Sequence, residues 1–162
     1  IPLYYNHKNT GRPLAEGQWF QKFRSNYLDV SNDPLYPFGF GLSYTTFSYS
    51  DVKLSNTSLK AGQKITASVT VTNTGNKDGK EVVQLYIRDM VGSITRPVKE
   101  LKGFQKIEME PGESKKVEFT ISVNDLKFYN SNLQYVAEPG DFKVFIGTNS
   151  RDVKEADFKL LH

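Results

Sequence analysis

The sequence contains no cysteine, only two histidines and no long apolar run. Without cysteine, the chain has no disulfide, no thiolate metal site and no cysteine nucleophile. His7 has no second ligand at metal-binding spacing and His162 is the last residue, so a metal site is not expected. No segment reaches membrane-spanning length or has the pattern of a signal peptide. Zero cysteines suit a reducing compartment and many exported bacterial proteins alike, so composition leaves the compartment open.

Charge is not concentrated in any part of the chain either. The net charge is +3, from 21 Lys and Arg against 18 Asp and Glu, and the two signs are interspersed. Binding to nucleic acid or to a membrane surface needs a basic stripe or block, so we expect neither partner. Gly39 and Gly41 begin a pattern like a dinucleotide-binding loop, but Tyr44 stands at the third glycine position. No cofactor is therefore expected.

From Phe47 onward, apolar residues alternate with polar ones, which is the period of a β-strand with one face in a core. The alternating series are Phe47 and Tyr49; Val52 and Leu54; 65–71; 83–87; 117–121; 142–146; and Phe158 and Leu160. Clusters rich in Gly, Pro and Asn separate them and favour turns. About seven short antiparallel strands in about 100 residues are typical of an immunoglobulin-like β-sandwich. The sequence therefore predicts an all-β fold.

Two segments within this region are less regular. We expect residues 98–107 to cross between sheets or to pair at an edge, with Leu101, Phe104 and Ile107 facing inward. Residues 123–129 are typical of a loop with one helical turn, in which Asn124 or Asp125 caps the amides that follow.

Residues 1–45 show no regular alternation and predict an irregular N-terminal extension. Near its end, Pro34 and Pro37 fix φ, while Gly39 and Gly41 permit conformations that a Cβ would forbid. This composition predicts a shaped domain junction. We place the boundary between residues 1–45 and 46–162. We expect residues 36–44 to lie on the sandwich, and those before Tyr27 to be mobile or to pack on a neighbouring molecule in a crystal.

The stretch 36–47, YPFGFGLSYTTF, closely resembles the linker that leads into the C-terminal fibronectin type III-like domain of family 3 glycoside hydrolases. Further segments that are similar to this family, in the same order, are 1–13, 24–29, 95–104, 111–114 and 138–148. The resemblance implies a bacterial β-glucosidase that releases terminal β-linked glucose with retention. It also implies a periplasmic or secreted location, and it identifies 1–45 as the end of the preceding α/β domain with its linker.

In that family a barrel-domain Asp is the nucleophile and a second-domain Glu is the general acid/base, and the resemblance places both before Ile1. Retaining hydrolysis needs two carboxyl groups about 5 Å apart. We therefore expect no catalytic residue in this chain, which lacks an initiator Met and is expected to be part of something longer. Its expected partners are the catalytic domains of its own protein. Substitutes such as Glu16, Asp29 and Asp33 have no activating neighbour, and a solvated or turn role explains them.

The aromatic residues of the extension leave two interpretations open. Flat rings stack on pyranose faces, so Trp19, Phe38, Phe40 and Tyr44 are candidates for saccharide contact. Packing against neighbouring domains or against the sandwich explains them equally well. At the level of function, the first hypothesis is a non-catalytic accessory domain of a β-glucosidase. The alternative is an independent carbohydrate-binding or adhesion module of the same fold, because a fold does not determine function.

Overall fold

The structure is a computed structural model and describes residues 4–13 and 22–162. Its described part contains eleven strands, one 3-10 helix and no α-helix. The strands are β1 Phe47–Tyr49, β2 Lys53–Leu54, β3 Ser58–Leu59, β4 Lys64–Asn73, β5 Gly79–Asp89, β6 Glu100–Met109, β7 Ser114–Ser122, β8 Phe128–Tyr129, β9 Tyr135–Val136, β10 Gly140–Gly147 and β11 Val153–Leu160. The 3-10 helix spans Val123–Leu126.

The strands form two facing sheets and a short hairpin. In the four-stranded sheet, β1 and β2 share one edge of β4, and β7 pairs with the other. The five-stranded sheet has the order β3-β11-β10-β5-β6, in which only the β3–β11 pair is parallel. The β8–β9 hairpin stands apart. The chain therefore changes sheet between β2 and β3, which closes the sandwich along one side.

One core lies between the two sheets. Most of its buried members come from the alternating series, and Leu59, Met109 and Leu126 lie outside them; those from the series include Ile65, Val69, Val71, Val83, Leu85, Val117, Ile121, Phe142, Val144, Ile146 and Phe158. All seven predicted series overlap a strand, and the predicted all-β sandwich is confirmed. The strands that periodicity did not predict are β3, β8 and β9, with two residues each, and the longer β6.

Residues 100–109 form β6, which pairs with β5 at the edge of the five-stranded sheet. Of the two alternatives expected for this segment, pairing at an edge is therefore confirmed. The inward orientation of Phe104 is wrong, because its side chain is 66% exposed. The β5–β6 register shifts at Leu85 and Tyr86, so Lys102 is an extra residue in the ladder. From Gly103 to Met109 the pairing is regular, so side chains alternate: Gly103 faces Phe119 on the inner side, Ile107 packs against the core, and Phe104 points outward. The bulge instead places Leu101 opposite the outward-facing Tyr86, so the inward orientation predicted for Leu101 is wrong as well.

The helical turn is present, but its cap differs from the predicted one. Ser122 is the N-cap residue. The Asp125 carboxylate reaches back and accepts hydrogen bonds from the Ser122 backbone N–H and hydroxyl, both at 2.7 Å. This is the acidic third position of a capping box, so Asp125 serves the amide before the turn and not those after it.

The N-terminal extension covers the outer face of the five-stranded sheet. The Val98 N–H donates to the His7 carbonyl at 2.9 Å, and Lys8 forms a bridge with Pro97. The Tyr5 hydroxyl accepts a bond from the Leu101 N–H at 3.3 Å. Residues 5–8, which are among those expected to be mobile, are therefore bonded to the sandwich.

Candidate functional site

The junction, residues 34–46, begins its course over the sandwich with a tight turn. The Phe40 N–H donates to the Pro37 carbonyl at 3.0 Å. Gly39 has φ +80°, which is the geometry that a type II turn requires at its third position and that glycine adopts without strain. The glycine predicted to shape the junction therefore has a defined role.

One glutamine side chain on β5 connects this turn to the sheet. The Gln84 Nε2 donates to the Thr148 carbonyl at 2.6 Å and to the Gly39 carbonyl at 3.3 Å. Its Oε1 accepts a bond from the Tyr86 hydroxyl. Beside it, the Ser150 N–H donates to the Phe38 carbonyl at 2.9 Å. The junction backbone is thereby joined both to β5 and to the β10–β11 connection.

A buried asparagine holds the other end of the junction. The Thr45 hydroxyl donates to the Asn73 Oδ1 at 2.6 Å. The Asn73 Nδ2 donates to the carbonyls of Lys77 at 2.8 Å and Met109 at 3.2 Å. Asn73 is fully buried, so both ends of its amide need these partners. The turn cluster predicted from 73–79 thus also fixes the entry into β1.

The four candidate aromatics for saccharide contact do not share one environment. Trp19 lies outside the described residues. The Phe38 ring stacks on the Tyr5 ring at 4.3 Å, and Tyr5 contacts the buried Tyr86 edge-on at 5.7 Å. Phe38 thus serves packing on one face, although 46% of it is exposed. This contact joins the two ends of the extension.

Phe40 and Tyr44 face outward. Phe40 pairs with Tyr36, with ring centroids 5.1 Å apart, and Tyr44 is 98% exposed. Among the described ring contacts, none joins Phe38, Phe40 and Tyr44 to one another. The exposed apolar side chains of the junction are Leu35, Tyr36, Phe38, Phe40, Leu42 and Tyr44. Together they form what we call the junction surface, a strip of exposed apolar side chains whose chain is bonded to the sandwich at residues 38, 39 and 45, and such strips mark contact sites.

A groove of about 630 Å³ lies between the junction and the ends of β5, β10 and β11. Its wall includes Leu42 and the inward-facing Glu81, which is 8% exposed. The Tyr49 hydroxyl donates to the Glu81 Oε1 at 2.7 Å. Burial, followed by the bond to Glu81, raises the pKa of Tyr49 above its ordinary value. The hydroxyl therefore stays protonated and supplies a permanent donor to this carboxylate.

A second buried carboxylate, that of Asp89, lies at the end of β5. Asp89 Oδ2 is 3.6 Å from the Arg96 Nε, and the other end of that guanidinium donates to Glu100 at 2.8 Å. The Arg96 guanidinium lies 4.2 Å from the centre of the Phe128 ring. Burial raises the pKa of Asp89, although the Arg96 charge opposes this change. The cluster ties the connecting segment to the sheet.

The carboxylates of the extension that the structure describes, Asp29 and Asp33, are solvated. Asp29 and Asp33 are both exposed, and the Asp33 carboxylate accepts a bond from the Ser31 hydroxyl at 3.3 Å. Glu16 lies outside the described residues. Within 4–13 and 22–162, no group of three or more His, Asp or Glu side chains is arranged for a metal ion, and no helix is long and apolar enough to span a bilayer.

The residues that fix the junction were not identified from the sequence. Gln84 and Tyr86 alternate with the core residues of β5, and that position usually faces water. Tyr86 lies opposite Phe145 across the β5–β10 ladder, and both are buried. Bulky aromatics at outward positions of adjacent strands were the available signal that another segment covers this face.

Comparison with known proteins places this architecture in a family. Residues 81–150 match the family model of the fibronectin type III-like domain. The chain is 53% identical over 161 residues to a periplasmic beta-glucosidase of Salmonella typhimurium, covering 99% of this chain and 21% of that protein. It is 47% identical over 160 residues to a putative beta-xylosidase of Formosa agariphila, covering 99% of this chain and 20% of that protein.

A solved structure shows the same arrangement. The beta-glucosidase from Listeria innocua in complex with glucose superposes with a TM-score of 0.93 at 42% identity, over 100% of this chain and 22% of that one. The chain thus spans about a fifth of the length of the relatives that it matches. The fold, the junction and these matches together establish that the chain belongs to the family 3 glycoside hydrolases, of which it represents the C-terminal region with the fibronectin type III-like domain.

Proposed function

We propose that the chain is a non-catalytic accessory region of a β-glucosidase and that it braces the catalytic domains of the same protein. The whole protein would release terminal β-linked glucose with retention, in the periplasm or outside the cell. The names of the Salmonella and Listeria relatives support the substrate class, and that of the former supports the compartment. The carboxylates described above are solvated or engaged in structural bonds, as an accessory role requires.

The observation that carries this proposal is the junction surface. Its backbone is held at residues 38 and 39 by Gln84 and Ser150, and Thr45 at its end bonds to Asn73. Between these two holds, Leu42 and Tyr44 are 91% and 98% exposed. Holding apolar groups in water on an ordered backbone gains nothing for an isolated domain. The arrangement becomes favourable when a neighbouring domain covers the strip, and interfaces between domains of one chain typically bury about 600–1,500 Å². Residues 1–45 would then be the end of the preceding domain and the linker, as proposed from the sequence.

The test replaces the matching region of the Salmonella enzyme with this chain. We expect the chimera to hydrolyse an aryl β-glucoside. The double variant Leu42→Ser/Tyr44→Ser should inactivate at a lower temperature, because the apolar contact with the catalytic domains is lost. In the isolated chain the same variant should melt as the unmodified chain does, since both side chains are already exposed.

Leu133→Ser is the matched control, because Leu133 is 82% exposed but lies in the turn between β8 and β9. It should leave the chimera unchanged. Equal inactivation temperatures for the junction and control variants would contradict the bracing role.

The alternative, an independent carbohydrate-binding module, has one observation in its favour. Tyr129 and Tyr135 lie opposite each other on the β8–β9 hairpin, with ring centroids 4.9 Å apart, and are 63% and 54% exposed. Calorimetry of the isolated chain with cello-oligosaccharides separates the two functions. The accessory role predicts no binding, whereas a dissociation constant of about 1 mM or lower, abolished by Tyr135→Ser, would establish the alternative.

A further inference from the structure

The Gln84 clamp, formed by Gln84, Tyr86, Thr148 and the carbonyl of Gly39, engages both donors and the acceptor oxygen of one amide. Both Nε2 hydrogens have a carbonyl acceptor, and Oε1 has a hydroxyl donor. A glutamine amide offers two donors and one acceptor oxygen, so its orientation here is determined by its partners. Gln84 is 5% exposed, and in a buried site these bonds are not readily replaced by water.

The space around the amide also selects the junction residue. A Cβ added at Gly39 would lie 2.1 Å from the Gln84 Oε1. The junction therefore approaches this amide as closely as a backbone can. Any side chain at position 39 would displace either the turn or the glutamine, in addition to the strain of its positive φ.

The clamp connects three segments that are distant in sequence. Gln84 belongs to the middle of β5, Thr148 begins the β10–β11 connection, and Gly39 lies in the junction turn. The neighbouring bond from the Ser150 N–H to the Phe38 carbonyl joins the same connection to the same turn. The ring of Phe38 is held in turn by Tyr5, which contacts Tyr86. The bonds from Gln84 and from the Ser150 N–H thus end on the neighbouring carbonyls of residues 39 and 38.

We propose that Gln84 is the positioning residue of the junction: its amide sets where the junction surface stands relative to the sandwich. This inference rests on the proposed function for its consequence in the whole enzyme, but not for its test in the chain itself. Other groups hold the junction at its ends, above all Asn73, but Gln84 alone among the described side chains bonds to the turn from the sheet.

The test is hydrogen exchange on the 162-residue chain with Gln84→Met, which keeps the length of the side chain and removes its donors. Two amides report directly, Phe40 N–H and Ser150 N–H, because their acceptors are the Pro37 and Phe38 carbonyls of the turn. We expect both to exchange on the order of tenfold faster or more, while β4 amides of the core keep their rates. Unchanged rates at both reporters would overturn the proposal.

A second variant and a control cover the case in which Gln84→Met destabilises the whole domain. Tyr86→Phe keeps the ring and its packing but removes the donor to Oε1, so it should accelerate the same two amides to a smaller degree. Gln105→Leu removes a bond of the same kind, from Nε2 to the Glu118 carbonyl at 2.6 Å, which runs from β6 to β7 of the other sheet and not to the junction. It should not affect either reporter. Acceleration by Gln105→Leu equal to that of Tyr86→Phe would overturn the assignment.

In the Salmonella chimera, Gln84→Met should lower the inactivation temperature and leave KM for the aryl glucoside unchanged, because it acts through domain placement. Faster exchange in the chain together with an unaffected chimera would support the positioning role of Gln84 and contradict the bracing role. Unchanged exchange together with a less stable Leu42→Ser/Tyr44→Ser chimera would support the bracing role and contradict the positioning role of Gln84. The two failures are thus distinguishable.

Discussion

Single side chains in this molecule secure contacts that periodicity does not reveal, and Tyr49 is a clear case. Alternation places it inward, but its hydroxyl reaches across the sandwich to Glu81 at 2.7 Å, where that carboxylate is 8% exposed. The alternation of Val83, Leu85 and Ile87 extends to Glu81 and puts it on the inner face. Nothing in the local sequence indicates that a Tyr from the other sheet lies beside it. The pair can be recognised only once the sheets are stacked.

At this scale we predict that Tyr49→Phe lowers the free energy of unfolding by about 1–3 kcal/mol, because a buried carboxylate loses its donor. The double variant Tyr49→Phe/Glu81→Met should recover most of the loss, since removing both polar partners leaves no unsatisfied group. Urea denaturation of the three proteins measures both effects. Equal losses in the single and double variants would show that the bond itself contributes little.

Among the elements, strands with uninterrupted alternation were predictable, and those with irregular backbone were not. The predicted series in β4, β5, β7 and β10 place the expected side chains in the core. In β6, the bulge at Lys102 places Leu101 opposite the outward-facing Tyr86, whereas Phe104 is exposed because it lies three residues from the inward Ile107 in the regular part of the ladder. A bulge follows from the pairing of two strands and has no signature in either strand alone.

The two strand glycines give the element-scale prediction. A Cβ at Gly147 would lie 2.1 Å from the Asp152 carbonyl oxygen, a backbone atom that cannot move without opening the β10–β11 connection. At Gly103 the nearest atoms are those of the Phe119 ring at 3.5 Å, an ordinary contact. We expect Gly147→Ala to destabilise the fold by about 2 kcal/mol or more and Gly103→Ala to be neutral or stabilising by up to about 1 kcal/mol. Similar unfolding midpoints for the two variants would contradict this account.

Over the whole molecule, the sequence predicted the sandwich and the docking of the junction, but not the part played by residues 5–8. Tyr5 stacks on Phe38 and contacts Tyr86, and its hydroxyl meets the Leu101 N–H. These partners are up to 96 positions away in the chain, and no local pattern encodes such a contact. The predicted boundary at residue 46 therefore separates the sandwich from residues of the extension that pack on it. That the sandwich folds without the extension remains a prediction.

A chain shortened to begin at Leu42 tests that boundary. Every buried member of the core lies between Leu59 and Leu160, so the shortened chain should still unfold in one cooperative transition. It loses the cover over Tyr86 and Phe145, including the stacked rings of Tyr5 and Phe38. We expect this to cost about 2 kcal/mol and to lower the thermal midpoint by roughly 5–10 °C. A non-cooperative melt would show that the extension belongs to the folding unit, whereas an unchanged midpoint would show that its contacts with the outer face of the sheet contribute no stability.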